Sequence, residues 1–192
     1  MIKIGLTGVI GSGKTTAINY FKELQVPVYI ADEKAKEIMQ NHDNLKEKVK
    51  DILGNQAYEN DKLNTGYISE KIFNDENLLL KINKLVHPVV KDDFHNWLCS
   101  LKSNYSVYES ALIFENGDHK DFDIIICIKT PIEIIYERLK SKKNYNRKKI
   151  DLILNQQLPQ HIKCQRSDYC INNLSIVNLK SEILKVHKKL QR

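Results

Sequence analysis

Glycine, proline and long apolar runs are all scarce in this chain. There are seven glycines and four prolines in 192 residues. No apolar stretch approaches the roughly 20 residues of a membrane-spanning helix. A membrane partner is therefore not expected. The four cysteines, Cys99, Cys127, Cys164 and Cys170, show no C-x-x-C spacing. That argues against a zinc ribbon or a dithiol redox site. His161, Cys164 and Cys170 also miss the common zinc spacings. The cysteines are expected to be reduced packing residues in a cytoplasmic protein. Met1 runs straight into Ile2, Ile4 and Leu6, so no signal or transit segment is expected. No internal repeat or low-complexity segment is evident. The apolar and charged fractions, 42% and 28%, are those of an ordinary globular domain.

One further scarcity is local. Seven of the 30 basic residues and none of the 24 acidic residues lie between Arg138 and Lys149. The rest of the chain is close to neutral, although the whole carries +6. Such a block can be a solvated helix face or a nucleic-acid patch. Tyr145 is its single aromatic residue, so a stacking platform for bases is absent and no nucleic-acid partner is expected. A lid that closes over phosphate is the better reading.

The scarce glycines are not spread evenly. Gly8 to Thr15 read Gly-Val-Ile-Gly-Ser-Gly-Lys-Thr, which is the pattern G-x-x-x-x-G-K-[ST] of a phosphate-binding loop. The pattern needs a strand before it and a helix after it. Ile2–Leu6 and Lys14–Leu24 have those characters. In such a loop, backbone N–H groups surround the phosphates, and Gly8, Gly11 and Gly13 let the chain pass close to them. Ser12, Thr15 and Thr16 complete the loop and the first turn. Lys14 reaches the β- and γ-phosphates, and the Thr15 hydroxyl joins a Mg²⁺ shell.

Beyond the loop, strand-like and helix-like runs alternate. That predicts an α/β fold of the P-loop NTPase kind, three layers deep, on a parallel five-stranded sheet. The strands are expected near 2–6, 27–30, 106–110, 123–129 and 169–171. About 75 residues between the second and third strands show no good strand pattern. Helices are expected there over 32–40, 45–53, 69–73 and 76–103, the last kinked or divided at Pro88. The expected organisation is one domain with a core (1–31 and 105–192), a helical insertion (32–104) that either contacts the phosphate acceptor or merely covers the sheet, and a short lid (about 138–149).

Transfer of a phosphoryl group also needs an acceptor site and charge neutralisation. Asp32 follows the second strand, where ligands gather in open α/β sheets. It can orient a hydroxyl, or it can cap the helix that follows. Glu109 ends the third strand and can hold Mg²⁺ through water. Glu115 is a second carboxylate near the same edge. Arg138 and Arg147 can neutralise charge in the transition state. A GTP switch would need an N-K-x-D motif. Asn83-Lys84-Leu85-Val86 lacks the Asp and falls in a helical stretch.

Taken in order, these segments resemble the dephospho-coenzyme A kinase family. Gly5 to Thr16 are similar to its opening G-L-T-G-G-I-G-S-G-K-[ST]-T. Val26 to Lys36 resemble its D-A-D-x-x-A segment, Asp61 to Phe73 its D-G-x-L-D-R segment, and His87-Pro88 its His-Pro pair. Ala111 to Glu115 are similar to P-L-L-F-E, Arg138 to Pro159 to its lid and Q-x-P, and Ile171-Asn172-Asn173 to I-x-N-N. The chain departs from the pattern at Ile30, Thr65, Ala111, Lys142-Lys143 and Ile171.

The resemblance implies transfer of the ATP γ-phosphate to the ribose 3′-hydroxyl of dephospho-coenzyme A, the last step of coenzyme A synthesis. It implies ATP and Mg²⁺ as cofactors and a small-molecule acceptor as partner, in a monomer or weak homo-oligomer. It also implies an acceptor-binding role for the helical insertion (32–104). Asp32, Lys14 and Arg147 would then be catalytic. Asn172 and Asn173 would lie near the adenine. Asp32, His87, Phe114 and Glu115 would serve the acceptor. A nucleoside or nucleotide monophosphate kinase, or a nucleotide-binding protein that has lost catalysis, is the alternative.

Overall fold

The computed structural model describes residues 1–73, 75–142 and 145–191, without the side chains of Phe73 and Glu76. Lys143, one member of the basic block, lies outside the described residues. The chain forms two compact units, Met1–Tyr29 with Lys102–Arg192, and Ile30–Leu101.

In the first unit, β1 (Ile2–Thr7) runs into the glycine loop and then α1 (Lys14–Glu23). Next come β2 (Val28–Ile30), and further along β5 (Tyr105–Glu109), β6 (Ile124–Lys129), α6 (Ile132–Lys140), α7 (Arg147–Asn155), α8 (Gln160–Gln165), β7 (Tyr169–Asn172) and α9 (Ile176–Leu190). The five-stranded sheet has the order β2-β5-β1-β6-β7. Strand β1 sits at its centre and pairs in parallel with β5 and β6. Residues 105–109 are all buried, as are 125–128, as befits strands covered on both faces. Edge strand β7 is only alternately buried. The expected α/β fold with a parallel five-stranded sheet is thus the one observed.

The second unit is mainly helical. It contains α2 (Ala31–Asn41), α3 (Asp43–Leu53), a hairpin of β3 (Tyr58–Glu59) and β4 (Lys62–Leu63), α4 (Thr65–Phe73) and α5 (Glu76–Cys99). Helix α5 buries Ile82, Val86, Val90 and Phe94 against α2, α3 and α4.

Four expectations need correction. Pro88 does not divide α5, which runs through it as one 24-residue helix. Packing on both sides of the proline outweighs one lost backbone hydrogen bond. The insertion is not free of strands. Asn60 and Asp61 both have positive φ (48° and 65°), the backbone of a tight hairpin turn. Asp32 is not a helix cap, because α2 begins at Ala31 and Asp32 lies in its first turn. Cys164 and Cys170 are not reduced. They form a disulfide, since α8 and β7 bring their Cα atoms to 5.2 Å. Among the described residues, no helix is long and apolar enough to cross a membrane.

The two remaining cysteines differ in environment. Cys99 is exposed and Cys127 is buried. Burial pushes the Cys127 thiol up to about 11, against a partial pull downward from Lys163 and Lys14. Little reactive thiolate therefore forms at Cys127 below that pH. Alkylation of the native protein at pH 8 should modify Cys99 alone. Cys127 should follow on unfolding, and Cys164 and Cys170 only after added reductant. Peptide mass mapping checks each step.

Candidate active site

The loop between β1 and α1 is held by its own crowding. Gly8, Gly11 and Gly13 have φ of 149°, 75° and 101°. A Cβ on Gly8 would lie 2.5 Å from the Ile128 carbonyl oxygen, and one on Gly13 would lie 2.1 Å from Asn173 Nδ2. Only glycine fits both the dihedral angle and the space. Val9 and Ile10, the apolar residues of the loop, have a different task. Val9 packs with Ile135, Leu139 and Ile150, and Ile10, Tyr136 and Tyr145 lie against that cluster. Helices α6 and α7 are therefore rooted on the loop by apolar contact.

The loop carbonyls of Gly8, Val9, Gly11, Ser12 and Gly13 meet donors inside the protein. Lys14 Nζ donates to Gly8 O at 3.1 Å, and Ser12 N donates to Val9 O at 3.1 Å. Arg138 Nη1 stands 3.5 Å from Gly11 O. Ser12 O accepts from Thr130 Oγ1 at 2.7 Å and from Asn173 Nδ2 at 2.8 Å. Ala17 N donates to Gly13 O at 3.0 Å. Ser12 itself is fully buried, so its hydroxyl faces the interior. Lys14, Thr15 and Thr16 form the first turn of α1, and Thr15 is exposed. That turn has no acidic residue and no side-chain cap, which leaves its N–H groups and dipole available to an anion.

Glu109, the last residue of β5, pairs in register with Leu6. Its carboxylate is 3.7 Å from Lys14 Nζ. A carboxylate, a hydroxyl at Thr15 and phosphate oxygens would suit a hard cation such as Mg²⁺.

The other candidates are placed as follows. Asn172 is exposed, whereas Asn173 is 2% exposed and grips Ser12 from within. Phe114 is buried against the His119 ring at 5.6 Å. Arg147 begins α7 and lies over the Tyr136 ring at 5.1 Å, while Arg138 is the arginine at the loop. Glu115 takes a close ion pair from Lys163 (2.6 Å) and a hydrogen bond from Leu158 N. Asp32, exposed, and His87, half-buried in α5, belong to the helical unit. There Lys71 lies over the Tyr67 ring, and Lys46 pairs with Asp61. Thr130 and Lys163 act as supports that no motif announces, and Asn173, expected near the adenine, supports Ser12 O. A lysine in an otherwise polar helix gives no sequence signal of complete burial.

A strand, a triple-glycine loop and a lysine-led helix at the centre of a five-stranded parallel sheet define a P-loop kinase of three-layer α/β architecture. Residues 2–178 match the family described as dephospho-CoA kinase. The chain belongs to that family. It is 30% identical over 174 residues to a dephospho-CoA kinase of Bacteroides fragilis, covering 90% of this chain and 84% of the relative. It is 31% identical over 192 residues to one of Coxiella burnetii, covering 98% and 96%. Its fold is similar to that of the Thermus thermophilus protein TT1252, with TM-score 0.88 and 24% identity over 98% and 96% of the two chains.

The contact between Gly13 and Asn173 can be tested by a double-mutant cycle. Gly13→Ala should cost about 1–3 kcal/mol from its φ alone. Asn173→Ala should cost about 1–3 kcal/mol through Ser12 O. Their sum should exceed the cost of the double variant, because removing the amide relieves the clash. Denaturant unfolding measures all three, and strict additivity would show that the contact does not limit the loop.

Proposed function

We propose that this protein transfers the γ-phosphate of ATP to the ribose 3′-hydroxyl of dephospho-coenzyme A, giving coenzyme A and ADP. Family membership across residues 2–178 carries this reading. The loop geometry supports its donor half. Lys14, the loop amides and the N-terminus of α1 would bind and polarise the β- and γ-phosphates. Thr15 would hold Mg²⁺ directly and Glu109 would hold it through water. Mg²⁺, when bound, neutralises charge on the phosphate oxygens. Arg138 stands at the loop carbonyl of Gly11, and its guanidinium would neutralise charge on the phosphates. Arg147 would approach with the rest of the basic lid.

Asp32 would orient the acceptor hydroxyl and take its proton. His87 and Phe114 would contact the acceptor, and Asn172 would lie near the adenine. Closure of the lid would exclude water, which competes with the hydroxyl as acceptor. The acceptor is a small molecule, and the protein acts as a monomer or weak homo-oligomer.

Incubation with ATP, Mg²⁺ and dephospho-coenzyme A should yield ADP and coenzyme A in equal amounts. ADP formation no faster than in the acceptor-free control would overturn the assignment. Nucleoside monophosphates in place of the acceptor should give no turnover. Asp32→Ala should lower kcat by about 10²–10⁴-fold while ATP affinity stays near that of the parent protein. Near-normal turnover would remove Asp32 from the mechanism.

A further inference from the structure

Lys163 is the one lysine whose side chain is completely buried among the described residues of known burial. Its ammonium has three acceptors: Ala111 O at 2.6 Å, Glu115 Oε1 at 2.6 Å and Glu115 Oε2 at 2.9 Å. Three donors meet three acceptors, and no bond is left for water. Burial pushes the Lys163 ammonium below its ordinary range, and Glu115 acts against that shift. A charge so placed is retained at a cost, because apolar packing of equal volume is commonly as stable.

The partners of Lys163 lead to the phosphate loop. Ala111 O also accepts from Thr7 Oγ1 at 3.3 Å, and Thr7 directly precedes Gly8. Glu115 Oε1 also accepts from Leu158 N at 2.7 Å. The neighbouring Gln157 accepts from Ile10 N in the loop at 2.9 Å. At the start of α8, Gln160 exchanges two hydrogen bonds with Thr130, both 2.9 Å, and Thr130 holds Ser12 O. Residues 157–163 thus reach the loop at its entry, its apex and its exit.

We propose that Lys163 is a positioning residue for the kinase reaction: by fixing Ala111 O and Glu115 it sets the phosphate loop in its ATP-binding geometry. This rests on the kinase reading above. Lys163 touches neither substrate in this role. Its charge acts on ATP through Thr7 and through Gln157. Glu115 is then a structural partner of the donor site rather than a contact of the acceptor.

The test compares Lys163→Met, the double variant Lys163→Met with Glu115→Gln, and Thr7→Val. ATP affinity is read by calorimetry, KM for each substrate by steady-state kinetics, and folding by Tm. Lys163→Met should weaken ATP binding at least tenfold, lower kcat, and leave KM for dephospho-coenzyme A within about threefold. It should also lower Tm, since Glu115 is left without its counter-charge. The double variant should recover most of the Tm but not the ATP affinity. A merely structural lysine would give the opposite pattern, with ATP affinity returning as Tm returns, and that result would overturn the proposal.

Thr7→Val keeps the shape of the strand residue and every charge, so it reports even if the Lys163 variants fail to fold. It should weaken ATP binding at least threefold. Unchanged affinity would overturn the path through Ala111. An inactive parent protein that still loses ATP affinity on these substitutions would refute the kinase reading and leave the positioning role standing.

Discussion

A loop that turns its N–H groups toward a phosphate must dispose of its carbonyl oxygens elsewhere. Ile10 N and Ser12 N are spent inside the protein, and the amides that remain are useful to a phosphate only while they stay unpaired. The carbonyls cannot be left buried and unpaired, because each such group costs about 1–3 kcal/mol. This protein meets the constraint with groups drawn from five places. Lys14 takes Gly8 O, Ser12 N takes Val9 O, and Arg138 reaches Gly11 O. Thr130 and Asn173 share Ser12 O, and the first turn of α1 takes Gly13 O. The positions of β6, β7 and α6 all follow, since each must deliver one of these donors.

The same constraint explains why the loop sits at the middle of the sheet. Strand β1 lies between β5 and β6, so both neighbours end beside Thr7 and Gly8. Strand β5 ends in Glu109, which faces Lys14, and leads into Ala111, which receives Thr7. Strand β6 ends before Thr130. An edge strand would have only one such neighbour. The apolar residues Val9 and Ile10 add a second anchor, on α6 and α7. The basic block is therefore built on helices that already grip the loop through their apolar faces.

The donor half of the site was largely legible in the sequence. Gly8, Gly11, Gly13, Lys14 and Thr15 stand at fixed spacing, because the geometry is local and only certain residues can adopt it. The buried strand Ile124–Lys129 was legible for the same reason, as a continuous apolar run. The hairpin at Asn60-Asp61 was not, because two residues per strand leave no period to read. Pro88 suggested a break that packing against α2, α3 and α4 overrode. Lys163 looked like any surface lysine, and its burial depends on Glu115, 48 residues away.

The phosphate loop, the parallel sheet and, through ordered motifs along the chain, the family are all legible in the residues alone. Those are properties of spacing and periodicity, which local sterics enforce. Tertiary structure decided which side chains serve the loop. It turned Asn173 inward onto Ser12 and left Asn172 exposed. It laid Arg147 on Tyr136 and Arg138 on the loop, joined Cys164 to Cys170, and paired Glu115 with Lys163. Each of these choices rests on contacts made only when separate strands and helices meet. A hydrogen bond or ion pair between such elements leaves no periodic trace in the residues that form it.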